Sequence, residues 1–286
     1  MKSQSSYTPI ILIGAARSGT KMLRDVIGSH QDIAKIPFDI NFVWKYNNEK
    51  ISHDVLNPKQ LSQSTNNFIH KYFDKFAADK PFLIEKTVSN SLRIDFVRSV
   101  FPNAKFIYLL RDGRDVVESV VRQWGQSPPN SYLFEKLKSF PVLRTLSYGF
   151  SYGMDLLKIK ILGKPSSSYV WGVKYPGYEK DLSEDKIFKF CAIQWKACIE
   201  SSEKQIKNID ADKLFKVKYE DFVKNPKESL KSISSFIGVS PNFDADKISK
   251  ISAKNIGKSF KNLTSQQQKE VVDIINPVLE EHGYVQ

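Results

Sequence analysis

The amino-acid sequence predicts an α/β fold, a parallel sheet with a layer of helices on each face. Two uninterrupted apolar runs, residues 9–13 and 106–110, have the length of strands and no polar alternation, which indicates burial on both faces. Each run is followed by a segment in which apolar residues recur at helical spacing. Strands that alternate with helices favour parallel pairing, because each helix returns the chain to the start of the next strand.

The predicted elements cover most of the chain. In order they are a strand at 9–13, a helix at 20–29, a strand at 82–84, a helix at 91–100, a strand at 106–110, a helix at 112–124, a helix at 185–206, a strand at 214–217, and helices at 226–237 and 265–282. Pro226 begins its helix and Gly238 follows its end, the positions that these residues favour. With 286 residues and no long linker, the chain is predicted to form a single domain, 1–286, with a helix-rich insertion at roughly 130–210.

The charge composition indicates an anionic partner. There are 43 Lys and Arg against 31 Asp and Glu, which gives a formal net charge of +12. Such an excess favours nucleotides, nucleic acids, acidic lipids or acidic polymers without choosing among them. The lysines are spread along the chain with acidic residues beside them, so a nucleic-acid-binding surface is not favoured.

The few cysteines and histidines predict neither disulfides nor a metal site. Cys191 and Cys198 lie seven residues apart in a predicted helix, a rise of about 10 Å that is beyond disulfide reach. The four histidines show no zinc-like spacing. No apolar run approaches membrane-spanning length, and the first residues do not resemble a signal peptide. We therefore expect a cytoplasmic protein with free thiols, no membrane span and no metal.

The segment between the first strand and the first helix predicts a site for an anion. Residues 14–21 are Gly-Ala-Ala-Arg-Ser-Gly-Thr-Lys, and the glycines allow the backbone to approach a ligand closely. The helix that follows offers unpaired N–H groups and a positive dipole end. Gly14 and Gly19 have the spacing of the nucleoside-triphosphate loop, but Thr20 and Lys21 stand in the reverse of its Lys-Ser or Lys-Thr order. The loop therefore favours a P-loop-like fold that binds an anion without an obligatory metal; a plain turn between strand and helix is the alternative.

A second group of polar residues follows the strand at 106–110. Arg111 lies at its carboxyl end, the edge at which ligands bind in open α/β sheets, and Ser119 follows in the next helix. A guanidinium and a hydroxyl at this edge are suited to bind a second phosphate. The alternative is a salt-bridge cluster in which Arg111 only pairs with Asp112 or Asp115.

Together the two motifs resemble those of the sulfotransferases that use 3′-phosphoadenosine 5′-phosphosulfate (PAPS). The loop resembles the family's 5′-phosphosulfate loop, in the Arg-Ser-Gly-Thr form of tyrosylprotein-type and many bacterial members. Arg111 and Ser119 have the spacing of the family's 3′-phosphate motif. The resemblance extends through residues 85–87, 218–222 and 255–258, and so covers most of the chain.

The resemblance implies a role for each matching residue. Transfer of a sulfuryl group to a hydroxyl or amine requires positioning and charge neutralisation, much as phosphoryl transfer does. Lys86 is implied at the transferring sulfuryl group, where Arg17 also takes part in catalysis, and Arg111 and Ser119 are implied at the 3′-phosphate. The residues implied at the phosphosulfate are Arg17, Ser18, Gly19, Thr20 and Lys21, with Tyr219 and Lys258 as weaker candidates for contacts to PAPS.

The candidate for the general base departs from the family's pattern. Tyrosylprotein-type members carry a catalytic Glu in the stretch that here runs over residues 34–39, and this stretch has no Glu. Asp39 is the nearest carboxylate and becomes the candidate base, with a shift of one residue, although a turn after Pro37 would also explain an Asp there. His53 and Glu85 are the reserve candidates.

Two other classes of protein stay open. A P-loop kinase or nucleotide hydrolase would need Mg²⁺ and a Lys-Ser or Lys-Thr pair after Gly19, which this chain lacks. A non-catalytic nucleic-acid or polyanion-binding protein would need its positive charge on one face. The favoured prediction is a PAPS-dependent sulfotransferase that binds an adenine nucleotide and a hydroxyl- or amine-bearing acceptor. The sequence carries no signal for the identity of that acceptor or for the oligomeric state.

Overall fold

The computed structural model describes residues 7–124 and 170–284, apart from residues 171, 260 and 262. Within these ranges five strands form one sheet in the order β2-β3-β1-β4-β5, and every pair is parallel. The strands are β1 (Thr8–Ile13), β2 (Ile33–Lys35), β3 (Phe82–Glu85), β4 (Lys105–Leu110) and β5 (Leu214–Lys218). The predicted parallel α/β fold is confirmed.

Helices connect the strands and cover the sheet. The described α-helices are α1 (Thr20–Ile27), α2 (Asn41–Trp44), α3 (Gln63–Ala77), α4 (Ile94–Val100), α5 (Gly113–Gln123), α6 (Tyr178–Asp181), α7 (Ile187–Ile206), α8 (Tyr219–Lys224), α9 (Pro226–Ile237), α10 (Ala245–Ser249) and α11 (Ser265–Glu281). A short 3-10 helix, Val88–Leu92, lies between β3 and α4. Gly238 ends α9 with a φ of 92°, the left-handed conformation that favours glycine at this position.

The central strand divides its side chains between two hydrophobic cores. Ile11 and Ile13 belong to a large core under α3, α4, α5, α7 and α11. Ile10 and Leu12 belong to a smaller core under α1, α8 and α9. Side chains alternate between the faces of a strand, so a continuous apolar run serves both cores, and each fully buried Ile contributes about 1.5–3 kcal/mol. The three-layer arrangement that the apolar runs predict is therefore present.

Several elements differ from the sequence-based expectation. The strand β2 has only three residues, and neither it nor α3 is predicted, although Ser62 caps α3 by accepting a hydrogen bond from the Thr65 N–H at 3.1 Å. The helix expected over 91–100 begins at Ile94, because the preceding residues form the 3-10 turn. Asn225 precedes α9 without making a side-chain cap. The insertion expected at 130–210 lies largely outside the described residues, so the single-domain prediction stays a prediction.

Other expectations concern the helices and the thiols. Cys191 and Cys198 are both buried in α7 and free. Trp195, on the same helix, is 2% exposed and packs where a side chain at Gly113 would lie, 2.8 Å from its ring. It is therefore a core residue, as its helical spacing indicates. None of the helices in the described ranges combines the length and apolar character needed to cross a bilayer.

Because every strand pair is parallel, the carboxyl ends of all five strands lie at one edge of the sheet. Ile11 is in register with Glu85 of β3, and Ile13 is in register with Tyr108 of β4. The loop after β1 is therefore flanked on one side by the end of β3 and on the other by the end of β4. The two phosphate motifs and the segment that carries Lys86 thus meet at this edge.

Candidate active site

The loop between β1 and α1 packs tightly on its neighbours. A side chain at Gly14 would place its Cβ 2.8 Å from the carbonyl oxygen of Leu109, and one at Gly19 would place it 2.6 Å from the ring of Tyr219. Gly19 also has a positive φ of 91° and precedes α1 without a side-chain cap. Both positions thus require glycine, and the first N–H groups of α1 are left for an external anion.

Arg17, at the tip of this loop, joins the two phosphate motifs. Its Nε donates to the Ser119 hydroxyl on α5 at 3.1 Å. Its carbonyl oxygen accepts a hydrogen bond from Arg111 Nη1 at 2.9 Å. Arg17 has a φ of 63°, an uncommon left-handed conformation for a residue with a side chain, and the hydrogen bond from Arg111 holds it there.

Arg111 is the buried centre of this side of the site, 6% exposed at the end of β4. Besides the carbonyl of Arg17, it donates from Nη2 to the carbonyl of Asn255 at 2.7 Å. Its guanidinium lies over the Tyr219 ring, 4.2 Å from the centroid, and Tyr219 is 4% exposed. The Tyr219 ring therefore packs against both Arg111 and Gly19. Tyr219, a weaker candidate for contacts to PAPS, thus lies beside both phosphate motifs.

Asp115 connects the end of β4 to the segment around Gly257. Its Oδ2 accepts a hydrogen bond from the Gly257 N–H at 2.9 Å and lies 3.8 Å from Arg111 Nη2. Burial raises the pKa of the Asp115 carboxyl above its usual value. Lys258 Nζ donates to Asn255 Oδ1 at 3.1 Å, so the predicted Lys258 lies in the segment that Arg111 and Asp115 hold.

The salt-bridge alternative for this region is met only in part. Asp112 pairs with Arg114 at 2.6 Å, and Glu118 pairs with Arg122 at 3.4 Å. Arg111 directs its hydrogen bonds to backbone carbonyls instead, and its Asp115 contact is the longest of these ion pairs. Among the described residues, the positive charge of Arg111 is therefore not neutralised by a close ion pair at this edge of the sheet.

The chemistry of these groups fits a phosphate-bearing ligand. In the part of the chain that the structure describes, the buried Ser18 Oγ and Arg111 Nε have no hydrogen-bond partner. Buried polar atoms without partners are costly, and an oxyanion bound at each of them would supply the missing partner. Desolvation, and then the nearby guanidinium groups of Arg122 and Arg111, lower the pKa of Arg17. An anion would relieve this repulsion between like charges.

Thr20 and Lys21 have different environments. Thr20 is 4% exposed, with its methyl group 2.8 Å from the Cβ position of Gly14, at the start of α1. Lys21 pairs with Asp25 at 2.9 Å, and its side chain is 71% exposed. The side chain of Lys21 is thus turned along α1, so its predicted contact to a ligand would rest on its backbone N–H.

Lys86 and Asp39, the predicted catalytic residues of the neighbouring strand ends, are paired with each other. Lys86 Nζ donates to Asp39 Oδ1, and the Val88 N–H donates to Asp39 Oδ2 at 3.3 Å. The Lys86 side chain is 9% exposed and that of Asp39 is 27% exposed. A cation and a reachable carboxylate therefore stand together beside the anion loop.

The two reserve bases are less suited to the role. Glu85 is fully buried, accepts hydrogen bonds from the Thr87 hydroxyl and from Asn90 Nδ2, and has a pKa that burial raises to about 7. An acceptor molecule cannot reach it. Within the described residues, the His53 ring makes no hydrogen bond to Asp39 or Lys86. The His53 carbonyl accepts a hydrogen bond from Lys45 Nζ at 3.1 Å.

Sequence reasoning missed the groups that support these side chains. The sequence indicates Asp115 only as a possible ion-pair partner of Arg111, and it assigns no role to Thr87, Asn90 or Arg93, although all four residues are buried. Thr87 and Asp115 lie within one or four residues of predicted site residues, which is the signal that could have indicated them. Among the described residues, no group of three or more His, Cys, Asp or Glu is arranged to hold a metal.

Comparisons with known proteins agree on one family. The profile of the Sulfotransferase family matches residues 9–155, just over half of the chain. The protein-tyrosine sulfotransferase of Drosophila melanogaster is 22% identical over 249 residues, which are 83% of this chain and 39% of that protein. The chain spans about half or less of the length of the curated relatives it matches, with 39%, 45% and 53% in three of them.

Solved structures resemble the fold. The sulfotransferase domain of the Synechococcus olefin synthase aligns with a TM-score of 0.52 and 16% identity, over 96% of both chains. The sulfotransferase of Alicyclobacillus acidocaldarius aligns with a TM-score of 0.53 and 12% identity, over 96% of this chain and 93% of that one. Both phosphate motifs, Asp39 and Lys86 all lie inside the segment that the family profile matches, and the chain thus belongs to the sulfotransferase family.

Proposed function

We propose that this protein transfers a sulfuryl group from PAPS to an acceptor hydroxyl or amine. The observation that carries the proposal is the joining of the two phosphate motifs through Arg17, whose side chain contacts Ser119 and whose carbonyl contacts Arg111. PAPS has two anionic groups at opposite ends of its ribose, and the two motifs offer positive charge at two points of one sheet edge. A nucleotide without a 3′-phosphate would leave one of them unused.

The residues of the loop would hold the phosphosulfate. Arg17, the Ser18 hydroxyl and the N–H groups at the start of α1 are donors fixed before the ligand arrives, which lowers the reorganisation needed as charge develops. Arg111 and Ser119 would hold the 3′-phosphate, with Lys258 and the Gly257 segment beside them. In this arrangement protein cations take the place that Mg²⁺ has in kinases.

The transfer itself is a displacement at sulfur. The acceptor oxygen or nitrogen forms a bond to the sulfur while the bond between the sulfur and the bridging oxygen of the 5′-phosphate breaks, and 3′-phosphoadenosine 5′-phosphate (PAP) leaves. Asp39 would take the proton that the acceptor loses. Lys86 would stabilise the charge that grows on the oxygens of the sulfuryl group and the leaving phosphate.

The acceptor class is the open part of this proposal. The fruit-fly relative is named a protein-tyrosine sulfotransferase. A tyrosine-containing peptide is therefore the first acceptor to test, beside a sugar, a phenol and an amine. Transfer of radiolabelled sulfuryl from PAPS to any one of the four supports the proposed activity and names the class.

Calorimetry with PAP tests the nucleotide site without an acceptor. We expect PAP to bind equally well with and without EDTA, because Arg17 and Arg111 supply the charge that a metal would supply. We expect ATP with Mg²⁺ to bind more weakly than PAP. Loss of PAP binding on chelation, or tighter binding of Mg-ATP, would instead favour a P-loop kinase or hydrolase.

A further inference from the structure

Glu85 is an ionisable group in a place where ionisation is costly. It ends β3 after three residues that contribute apolar side chains, and its own side chain is 0% exposed. It accepts hydrogen bonds from neutral groups, the Thr87 hydroxyl and Asn90 Nδ2. Burying a carboxyl among neutral partners destabilises a fold relative to a neutral side chain of the same shape. A contribution to the stability of the sheet therefore does not explain why a carboxyl is present at this position.

One set of hydrogen bonds runs from Glu85 to the residue after Asp39. The Thr87 hydroxyl donates its single hydrogen to Glu85 Oε1, which leaves its lone pairs to accept from the Ile40 N–H at 2.9 Å. Glu85 Oε1 thus fixes the direction in which the Thr87 hydroxyl points. The hydroxyl in turn holds the Ile40 N–H, which belongs to the peptide that follows Asp39. Lys86, the partner of Asp39, stands between Glu85 and Thr87 in the chain.

A second set runs from the other oxygen of Glu85. Asn90 Nδ2 donates to Glu85 Oε2 at 3.0 Å, and Asn90 Oδ1 accepts from Arg93 Nε at 2.9 Å. Arg93 Nη2 donates to Asn41 Oδ1 at 2.6 Å. The first set ends at the backbone N–H of Ile40 and the second at the side chain of Asn41, so both residues that follow Asp39 are linked to the same carboxyl.

We propose that Glu85 is a positioning residue, which acts through Thr87 to hold Asp39 and Lys86 in register for sulfuryl transfer. The proposal deepens the proposed function and rests on it. Glu85 touches neither PAPS nor acceptor in this role. In its ionised form the carboxyl accepts at both oxygens, which a neutral amide cannot do.

Two variants break the arrangement in different ways. Glu85→Gln replaces one acceptor oxygen by an NH2 group, which then faces a donor, either the Thr87 hydroxyl or the Asn90 amide. Thr87→Val keeps the shape of the side chain and removes the hydroxyl between Glu85 and the Ile40 N–H. The matched control is Thr65→Val in α3, where a buried hydroxyl donates to the Tyr46 carbonyl at 3.2 Å, away from the site.

Acylation of lysines by acetic anhydride, measured by peptide mass spectrometry on the folded protein, tests the positions without any acceptor. Lys86 is 7% exposed and ion-paired, and Lys45, 6% exposed, serves as the internal reference for general opening of the fold. We expect labelling of Lys86 to rise several-fold to about tenfold in both variants, as for loss of one hydrogen bond, with Lys45 unchanged. The control variant should label like the wild type at both lysines.

Steady-state kinetics with the acceptor found by the screen is the second readout. In Glu85→Gln and Thr87→Val we expect kcat to fall about 10- to 100-fold, as for a small misplacement of catalytic groups, with PAP affinity within about twofold of the wild type. Equal labelling of Lys86 in all proteins, a parallel rise at Lys45, or an unchanged kcat would each overturn the proposal. A wild type that binds PAP but transfers to no acceptor contradicts the proposed function instead.

Discussion

The nucleotide side and the acceptor side of the site are held by different kinds of contact. On the nucleotide side, which comprises residues 14–21, Arg111, Ser119 and residues 255–258, Arg111 donates to two backbone carbonyls and helix α1 presents backbone N–H groups. On the acceptor side, which comprises Asp39 and Lys86, most supports are side chains bonded to side chains, and the Val88 and Ile40 N–H groups add two backbone contacts.

This difference has a consequence for substitution. A backbone carbonyl is present whatever the residue, so the nucleotide side depends on few side chains. The acceptor side loses a partner whenever one side chain changes, because each buried polar group there relies on another. We therefore expect substitutions on the acceptor side to affect turnover, and those on the nucleotide side to affect binding.

The largest effect is expected for Asp39→Asn. If Asp39 is the general base, as proposed, its loss should lower kcat by about 10²- to 10⁴-fold, while PAP binding stays near that of the wild type. Initial rates at saturating PAPS and calorimetry with PAP measure the two quantities. The exposed Asp185→Asn is the matched control. Near-normal turnover in Asp39→Asn would end its candidacy as the base and remove the contrast between the two sides.

Lys86→Met should rank next. It keeps the stem of the side chain and removes the charge, so kcat should fall about 10²- to 10³-fold through loss of a contact that strengthens in the transition state. PAP affinity should change little. Lys59→Met, on an exposed residue, is the control. Weaker PAP binding at unchanged kcat would make Lys86 a ground-state contact and would place it on the nucleotide side.

Arg111→Ala tests the nucleotide side. A hydrogen bond to a charged group contributes about 1.5–3 kcal/mol, so PAP should bind about ten- to a hundredfold more weakly, while adenosine 5′-monophosphate, which lacks the 3′-phosphate, changes much less. Ser119→Ala should show the same selectivity at smaller size. Arg98→Ala removes an arginine that pairs with Asp95 and serves as control. Equal weakening of both nucleotides would contradict the assignment of the 3′-phosphate to Arg111.

The smallest effect concerns the stability of Glu85→Gln. Burial holds the pKa of Glu85 at about 7 in the folded chain, above the ordinary 4.5, so the folded state retains a proton that the unfolded state releases. Glu85 therefore makes the wild type lose stability as the pH rises from 4.5 through 7. The Gln variant should be more stable above pH 7 by about 1–3 kcal/mol, with the difference vanishing toward pH 4.5.

Urea unfolding of both proteins between pH 4.5 and 8 measures this difference. Parallel curves, or a variant that is less stable at every pH, would show that the charge of Glu85 is well compensated in the fold and would contradict the expected cost of its burial. The positioning role proposed for Glu85 would not be affected, because a carboxylate accepts at both oxygens.

The two sides also differ in how much the sequence predicts of them. The loop at residues 14–21 and the pair Arg111 and Ser119 can be found in the sequence because their spacing within one segment already indicates a phosphate site. The strands that carry them are visible because burial on both faces removes polar alternation. The fold class and the family could therefore be predicted, and the residues proposed for the nucleotide side could be named.

The acceptor side could be predicted only as far as its strand ends. Asp39 and Lys86 lie 47 residues apart in the chain, and their contact exists because the three-residue β2 brings its segment beside β3. No propensity signal marks so short a strand. The support by Thr87, Asn90 and Arg93 depends on side-chain directions in and beside a 3-10 turn that the sequence does not predict. Register and rotamers, which local patterns do not determine, decide this part.

Arg111 bridges the carbonyl of Arg17 and the carbonyl of Asn255, which are separated by most of the described chain. A nucleotide held there would fasten both ends of the fold at once, and would bind only when they are assembled. Mass action then raises the free energy of unfolding by about 2.7 kcal/mol at a ligand concentration of 100 times Kd. The melting temperature of the protein therefore rises with occupancy of the site. Thermal unfolding can rank nucleotide analogues by affinity before any acceptor is known.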